Sequence, residues 1–238
     1  MCSSDLDQFF ERVQRDYEDG RDISEQMKRM RDIMMSRDEH IRDLLDRHFD
    51  PEDYFFVKEH MVGTGLIGGK SCGMLTARKI IENCCPDIYD RLEPPDSFFV
   101  GSDVFYTYIV ENGFWDMRVA QRKPEGYFDL ADEFADLLLN GTFPEKIEKE
   151  FISILEYYGS SPVIVRSSSI LEDGFGNAFA GKYESVFCAN SGTFEENLEA
   201  FENAVRTVYA STMSRAVSRA GNQLAASSMR AATHPNSR

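Results

Sequence analysis

The residues best suited to chemistry fall in three short segments. The first is Gly63-Thr64-Gly65-Leu66-Ile67-Gly68-Gly69-Lys70-Ser71. Glycines let a backbone come close to an anion and turn N–H groups toward it. A helix starting just afterwards adds the partial positive charge of its N-terminus, and Lys70 adds a full one. The segment is out of register for a Walker A loop. Counting back from Gly69-Lys70-Ser71, the first glycine of GxxxxGK[ST] should stand where the chain has Thr64. A P-loop is therefore rejected and a phosphate site retained. Read alone, the segment fits equally well a tight turn with a surface lysine.

The second segment is Val163-Ile164-Val165-Arg166-Ser167-Ser168-Ser169. An apolar strand here delivers an arginine, then hydroxyls, at its carboxyl end. A guanidinium grips phosphate oxygens through a planar fork, and serine hydroxyls add donors. The plainer alternative is an arginine paired with Glu172 or Asp173. The third segment runs from Glu172-Asp173-Gly174 through Gly176 to Phe179-Ala180-Gly181-Lys182-Tyr183-Glu184-Ser185. It is small and glycine-punctuated, which suits a lid over phosphates. Its carboxylates can hold Mg²⁺ or orient the arginine. An ordinary surface loop is the alternative.

These segments need elements to carry them. Residues 5–50 read as helices: Phe9, Val13 and Tyr17 repeat by four, Met27, Met30 and Met34 form a stripe, and Ile41, Leu44 and Leu45 form another. The methionines read as core or packing surface. Arg29, Arg31, Asp32, Arg37 and Asp38 read as a solvated face, with a helical interaction arm as the weaker possibility. Ser36 with Glu39 predicts a capping box, and Pro51 ends that helix. Ser71–Ile81 reads as a helix after the glycine turn. Ser97–Val100 reads as a buried strand, with Ser102 or Asp103 capping the aromatic helix that follows. Leu130, Phe134, Leu137 and Leu138 mark a helix closed by Asn140-Gly141. Pro144 opens the next, which Gly159 ends. Val163–Val165 and Tyr183–Ala189 read as strands. Thr193 with Glu196 caps a last helix carrying Leu198, Phe201, Val205 and Val208. The fold class expected is α+β. The domains expected are a helical extension over 1–50, a nucleotide-binding domain over 51–213 and a Ser/Ala/Arg-rich tail over 214–238 with too little to bury to fold by itself.

Composition narrows the function classes. The chain has 238 residues, 42% of them hydrophobic, enough for one good core or two small ones. Its net charge of −15 argues against a nucleic-acid binder. An acidic body also repels ATP at long range, so a nucleotide site must gather its few cations locally. That makes the placement of Lys70 and Arg166 informative. No apolar run approaches the length of a membrane helix, and the N-terminus lacks the apolar stretch of a secretory signal. The five cysteines, Cys2, Cys72, Cys84, Cys85 and Cys188, show neither disulfide nor zinc spacing. They read as reduced thiols of a cytoplasmic protein.

Taken in order, GGKSCGM at 68–74, PDSFFV at 95–100, VRSSSILED at 165–173 and FAGKYESVF at 179–187 resemble the N-terminal nucleotide-binding region of the phosphoenolpyruvate synthase and pyruvate phosphate dikinase family. The resemblance spans about residues 55–213 and leaves 1–50 and 214–238 uncovered. It implies the first half of an ATP-grasp-type domain, with ATP and Mg²⁺ as ligands. It puts Lys70 and Arg166 on the ATP phosphates, Arg166 taking part in transfer. Gly68, Gly69, Ser167, Ser168, Glu172, Asp173 and Gly181 then surround the nucleotide, the loop Phe179–Ser185 lying over it. Metal ligands are not assigned. Full-length relatives pass a phosphoryl group to a mobile histidine and then to pyruvate, giving phosphoenolpyruvate. His40, His48, His60 and His234 stand in no segment like that phosphohistidine motif, so the chain reads as a fragment that binds ATP weakly. The competing reading is a non-catalytic nucleotide-sensing or protein-interaction module. Neither nucleic acid nor a membrane is expected as a partner.

Overall fold

Helix-forming stripes separated by glycine, proline and capping residues dictate most of the architecture. The computed structural model describes residues 3–93, 96–123, 129–169, 173–174, 177–178 and 183–213. Four helices come first: α1 (Ser3–Glu18), α2 (Ser24–Met34), α3 (Glu39–His48) and α4 (Pro51–Glu59). Then follow β1 (Met61–Val62), α5 (Gly69–Cys84), α6 (Pro86–Tyr89), β2 (Phe99–Val100), α7 (Ser102–Glu111) and α8 (Trp115–Gln121). The rest comprises α9 (Ala131–Asn140), α10 (Glu145–Tyr158), β3 (Val163–Arg166), β4 (Asp173–Gly174), β5 (Asn177–Ala178), β6 (Ser185–Cys188) and α11 (Phe194–Ser211). The protein is α+β and mostly helical. Two compact units divide after Thr107, and residues 1–50 belong to the first together with the glycine turn.

In the first unit the methionine stripe is core. Met30, Met34 and Leu45 are fully buried and share one cluster with Phe9, Phe10, Val13, Tyr54, Val57, Ile67, Cys72, Leu75 and Phe99. The helices before Pro51 therefore pack with the segments on either side of the turn. Burying such side chains contributes roughly 1.5–3 kcal/mol each. Two local expectations need correction. Arg31 is not on a solvated face: it is 5% exposed and pairs with Asp32 at 2.9 Å and with Asp46. Asp32 reaches on to Arg42 at 2.6 Å. Burial opposes the charge on Asp32, but Arg31 and Arg42 outweigh it and hold its pKa below the usual value. The cap of α3 is Asp38 rather than Ser36. Its carboxylate accepts from the His40 and Ile41 amides, while the Ser36 hydroxyl accepts from Asp38 N–H. Pro51 does end α3, and it also opens α4 as that helix's first residue.

The expected strand before α7 is real but short. Strands β1 and β2 pair in parallel, Met61 with Phe99 and Val62 with Val100. This pairing places the glycine turn, which leaves β1, beside the start of α7, which leaves β2.

In the second unit α9, α10 and α11 pack around Phe134, Leu138, Phe151, Phe201, Val205 and the buried Tyr108. The Tyr108 hydroxyl donates to Leu138 O at 2.7 Å. Helix α11 starts as its sequence predicts, with a reciprocal capping box between Thr193 and Glu196. Pro144 precedes α10, and Gly159 ends it with φ +57°. Strands β3 and β6 pair antiparallel in the register Val163–Cys188, Ile164–Phe187, Val165–Val186, Arg166–Ser185. Strands β4 and β5 form a second antiparallel pair, Asp173 with Ala178 and Gly174 with Asn177. The tail over 214–238 lies outside the described residues.

Candidate phosphate site

The first half of the glycine turn is anchored to the start of α7 and to α2. The carboxylate of Asp103, the second residue of α7, accepts from Thr64 N–H at 3.0 Å and Gly65 N–H at 2.7 Å. It also accepts from the Thr64 hydroxyl at 3.2 Å. The Ser102 hydroxyl accepts from Leu66 N–H at 3.1 Å, and Met34 O accepts from Ile67 N–H at 2.8 Å. Four successive amides, 64 to 67, are thus satisfied within the protein. Ser102 and Asp103, read from sequence as helix caps, are the residues that pin the turn. A local pattern could not reveal this, because the partners stand 36 to 39 positions apart.

This docking explains Gly63 and Gly65 without any ligand. A Cβ on Gly63 would lie 2.7 Å from Val104 Cγ2, and one on Gly65 would lie 2.6 Å from Ser102 Oγ. From Gly68 onward the chain enters α5. Gly68 has φ +85°, a conformation that glycine adopts without strain, and its carbonyl accepts from Cys72 N–H at 3.0 Å as α5 begins. Gly69 and Lys70 are the first two residues of α5, so Lys70 stands in the first turn of a 16-residue helix. Lys70 is half-buried, and the helix is seated behind it by Cys72 and Leu75, 3% and 7% exposed. Burial pushes the Cys72 thiol up to about 11, so this cysteine beside the turn is an inert packing group. Further along α5, Lys79 ties the helix to α4 by ion pairs with Asp53 at 3.1 Å and Asp50 at 3.4 Å.

In the second unit, Arg166 is the last residue of β3 and is exposed. It shares the outward face of the β3–β6 pair with Ile164, Ser185 and Phe187, because side chains alternate along each strand. The inward face, Val163, Val165, Val186 and Cys188, packs on α11, and the Cys188 thiol contacts Ala200 O at 3.8 Å. Ser167 is buried, 5% exposed, with its hydroxyl accepting from Ser169 N–H at 3.3 Å. Ser168 and Ser169 are half-buried. Lys70 lies in the first unit and Arg166 in the second. Glu172 and Gly181 fall outside the described residues, and of Asp173 only the backbone is described, as the first residue of β4.

Among the described residues Arg166 makes no ion pair with an acidic side chain. Nor does any group of three or more His, Cys, Asp or Glu side chains converge to hold a metal there. The described residues offer no ready-made Mg²⁺ site. His60 lies against Phe56 and Phe98 in tilted contacts, with ring centroids 4.2 and 5.3 Å away, and its Nδ1 meets Phe56 O at 2.9 Å. His48 is packed against Asn83, which donates to its carbonyl at 3.0 Å. Among the described residues no helix is long and apolar enough to cross a membrane.

In this α+β protein a glycine turn feeds Lys70 into the first turn of a helix, and a strand ends on the exposed Arg166. The family model of the pyruvate phosphate dikinase AMP/ATP-binding domain matches residues 64–231, well over half of the chain, which therefore belongs to that family. The match begins at the glycine turn. It runs past Met213 to residue 231, into a stretch in which the motifs alone show no likeness. No curated protein and no solved structure matches the chain. Family membership supports ATP as the ligand.

Proposed function

We propose that this chain is the ATP-holding portion of a phosphotransferase resembling phosphoenolpyruvate synthase and pyruvate phosphate dikinase, built on the first half of an ATP-grasp-type fold. The amides of Gly68 and Gly69 and the ammonium of Lys70 take phosphate oxygens, and Arg166 grips phosphate through its fork, with Ser167 and Ser168 beside it. Glu172, Asp173 and Gly181 belong to the loop that covers the nucleotide. Mg²⁺ bound to the ATP phosphates would offset their charge. Transfer onward to a histidine carrier and to pyruvate belongs to a longer parent protein. The free thiols of Cys72, Cys84, Cys85 and Cys188 suit the cytoplasm.

The observation that carries this reading is the coincidence of the family match with Lys70 in the first turn of α5. Helix dipole, backbone amides and ammonium then act on one anion. Calorimetric titration of ATP tests it. Lys70→Ala is expected to weaken binding by roughly 10-fold, the loss of one charge-assisted contact. Wild-type affinity in Lys70→Ala would remove the glycine turn from the site, and no ATP binding by the wild type would leave the interaction-module reading in its place.

A further inference from the structure

The outward face of the β3–β6 pair carries more than Arg166. Ile164 is 56% exposed and Phe187 67%, the highest exposure of any large apolar residue among the described residues. They are direct cross-strand partners, and Arg166–Ser185 is the pair two residues along on the same face. Single exposed apolar residues are commonplace, but two in direct register form a continuous flat patch. Cross-strand neighbours hold their Cβ atoms about 5 Å apart, so an aromatic ring and a branched aliphatic chain lie side by side. The next pair on that face begins roughly 7 Å away, two strand residues further on. Among Ile164, Arg166, Ser185 and Phe187 the only charge is the guanidinium, in a chain of net charge −15.

We propose that this face is a purine platform: Phe187 and Ile164 take the base of a nucleotide whose phosphate Arg166 holds. The inference rests on the ATP reading above and adds the part of the ligand that the phosphate contacts leave unaccounted for. A nucleotide has a flat apolar face at one end and an anion at the other, separated by a ribose of about one strand repeat. The sheet presents the complementary pair in that order and at that spacing. Phosphate alone has no use for Phe187, and a purely apolar partner has none for Arg166. Base stacking on an aromatic side chain tolerates any purine, so the platform supplies affinity more than base identity.

Calorimetry with ATP and with inorganic tripolyphosphate, on wild type, Phe187→Ala, Phe187→Tyr and Ile164→Ala, separates the two ends of the ligand. ATP should bind wild type more tightly than tripolyphosphate does. Phe187→Ala should weaken ATP by roughly 10-fold or more while leaving tripolyphosphate unchanged, and Phe187→Tyr should keep wild-type behaviour. Saturation transfer from the Phe187 ring to the purine protons should accompany it. Equal ATP affinity in wild type and Phe187→Ala overturns the platform and leaves the phosphate reading standing. Loss of both ligands together also overturns it, since the ring would then serve the fold. If neither ligand binds wild type, the ATP reading itself has failed and the platform goes with it. If Phe187→Ala instead converts a sedimenting dimer to a monomer, the face is an interface between copies and the platform is withdrawn.

Discussion

Asp103→Ala will destabilise the first unit by about 3 kcal/mol, the expected cost of deleting a charged acceptor and leaving partly buried amides without a partner. The carboxylate serves the Thr64 and Gly65 amides and the Thr64 hydroxyl at once. Each hydrogen bond to a charged group is worth roughly 1.5–3 kcal/mol, and an orphaned buried donor costs roughly 1–3 kcal/mol more. The three bonds share one group, so their effects do not simply add. Asp103→Asn keeps an acceptor oxygen in nearly the same shape and should lose about half as much. Urea unfolding measures the difference, and hydrogen exchange locates it. The amides of Thr64 and Gly65 should be protected in the wild type and exchange quickly in Asp103→Ala, while those inside α5 should stay slow. Unchanged urea midpoints and continued protection at 64 and 65 would show that Asp103 does not hold the turn.

Helices with a self-contained signal were legible: the Thr193–Glu196 box opens α11, Pro144 precedes α10, Gly159 ends it, and the methionine stripe is core. Elements with weak periodicity were not. Helix α4, PEDYFFVKE, mixes aromatic and charged residues with no clear stripe, and α8 is only seven residues long. Roles set by distant partners were hidden as well. Arg31 looked solvated because Asp46 lies 15 positions away, and Ser102 and Asp103 looked like caps because the turn they pin lies far upstream. The candidate phosphate residues were legible by type, Lys70 after glycines and Arg166 after an apolar strand. The exposure of Ile164 and Phe187 was not, because VIV and VFC are apolar runs whose composition does not say which face is covered. Among the described residues α11 packs on one face of the β3–β6 pair, and that follows from topology rather than composition.

Arg166→Lys should weaken ATP binding by roughly 10-fold although the charge is conserved. A guanidinium offers two parallel N–H donors to two oxygens of one phosphate, whereas an ammonium is a point charge on a flexible stem. The end of β3 fixes the Arg166 backbone through its pairing with Ser185, so the length and plane of the side chain decide what it reaches. A charge-assisted bidentate contact is worth roughly 1.5–3 kcal/mol net, and losing half of its geometry accounts for the expected factor. Arg166→Ala should cost more, because the charge goes with the fork. The side chain is exposed, so neither change should move the urea midpoint by more than about 0.5 kcal/mol, and lost affinity will report on the ligand rather than the fold. Salt separates charge from fork. Raising ionic strength screens the Coulombic part, so the gap between wild type and Arg166→Ala should narrow more than the gap between wild type and Arg166→Lys. Calorimetric titrations of the three proteins at two salt concentrations read both quantities. Equal ATP affinity in all three would place the phosphates elsewhere, and Arg166 would have to be given up as their ligand.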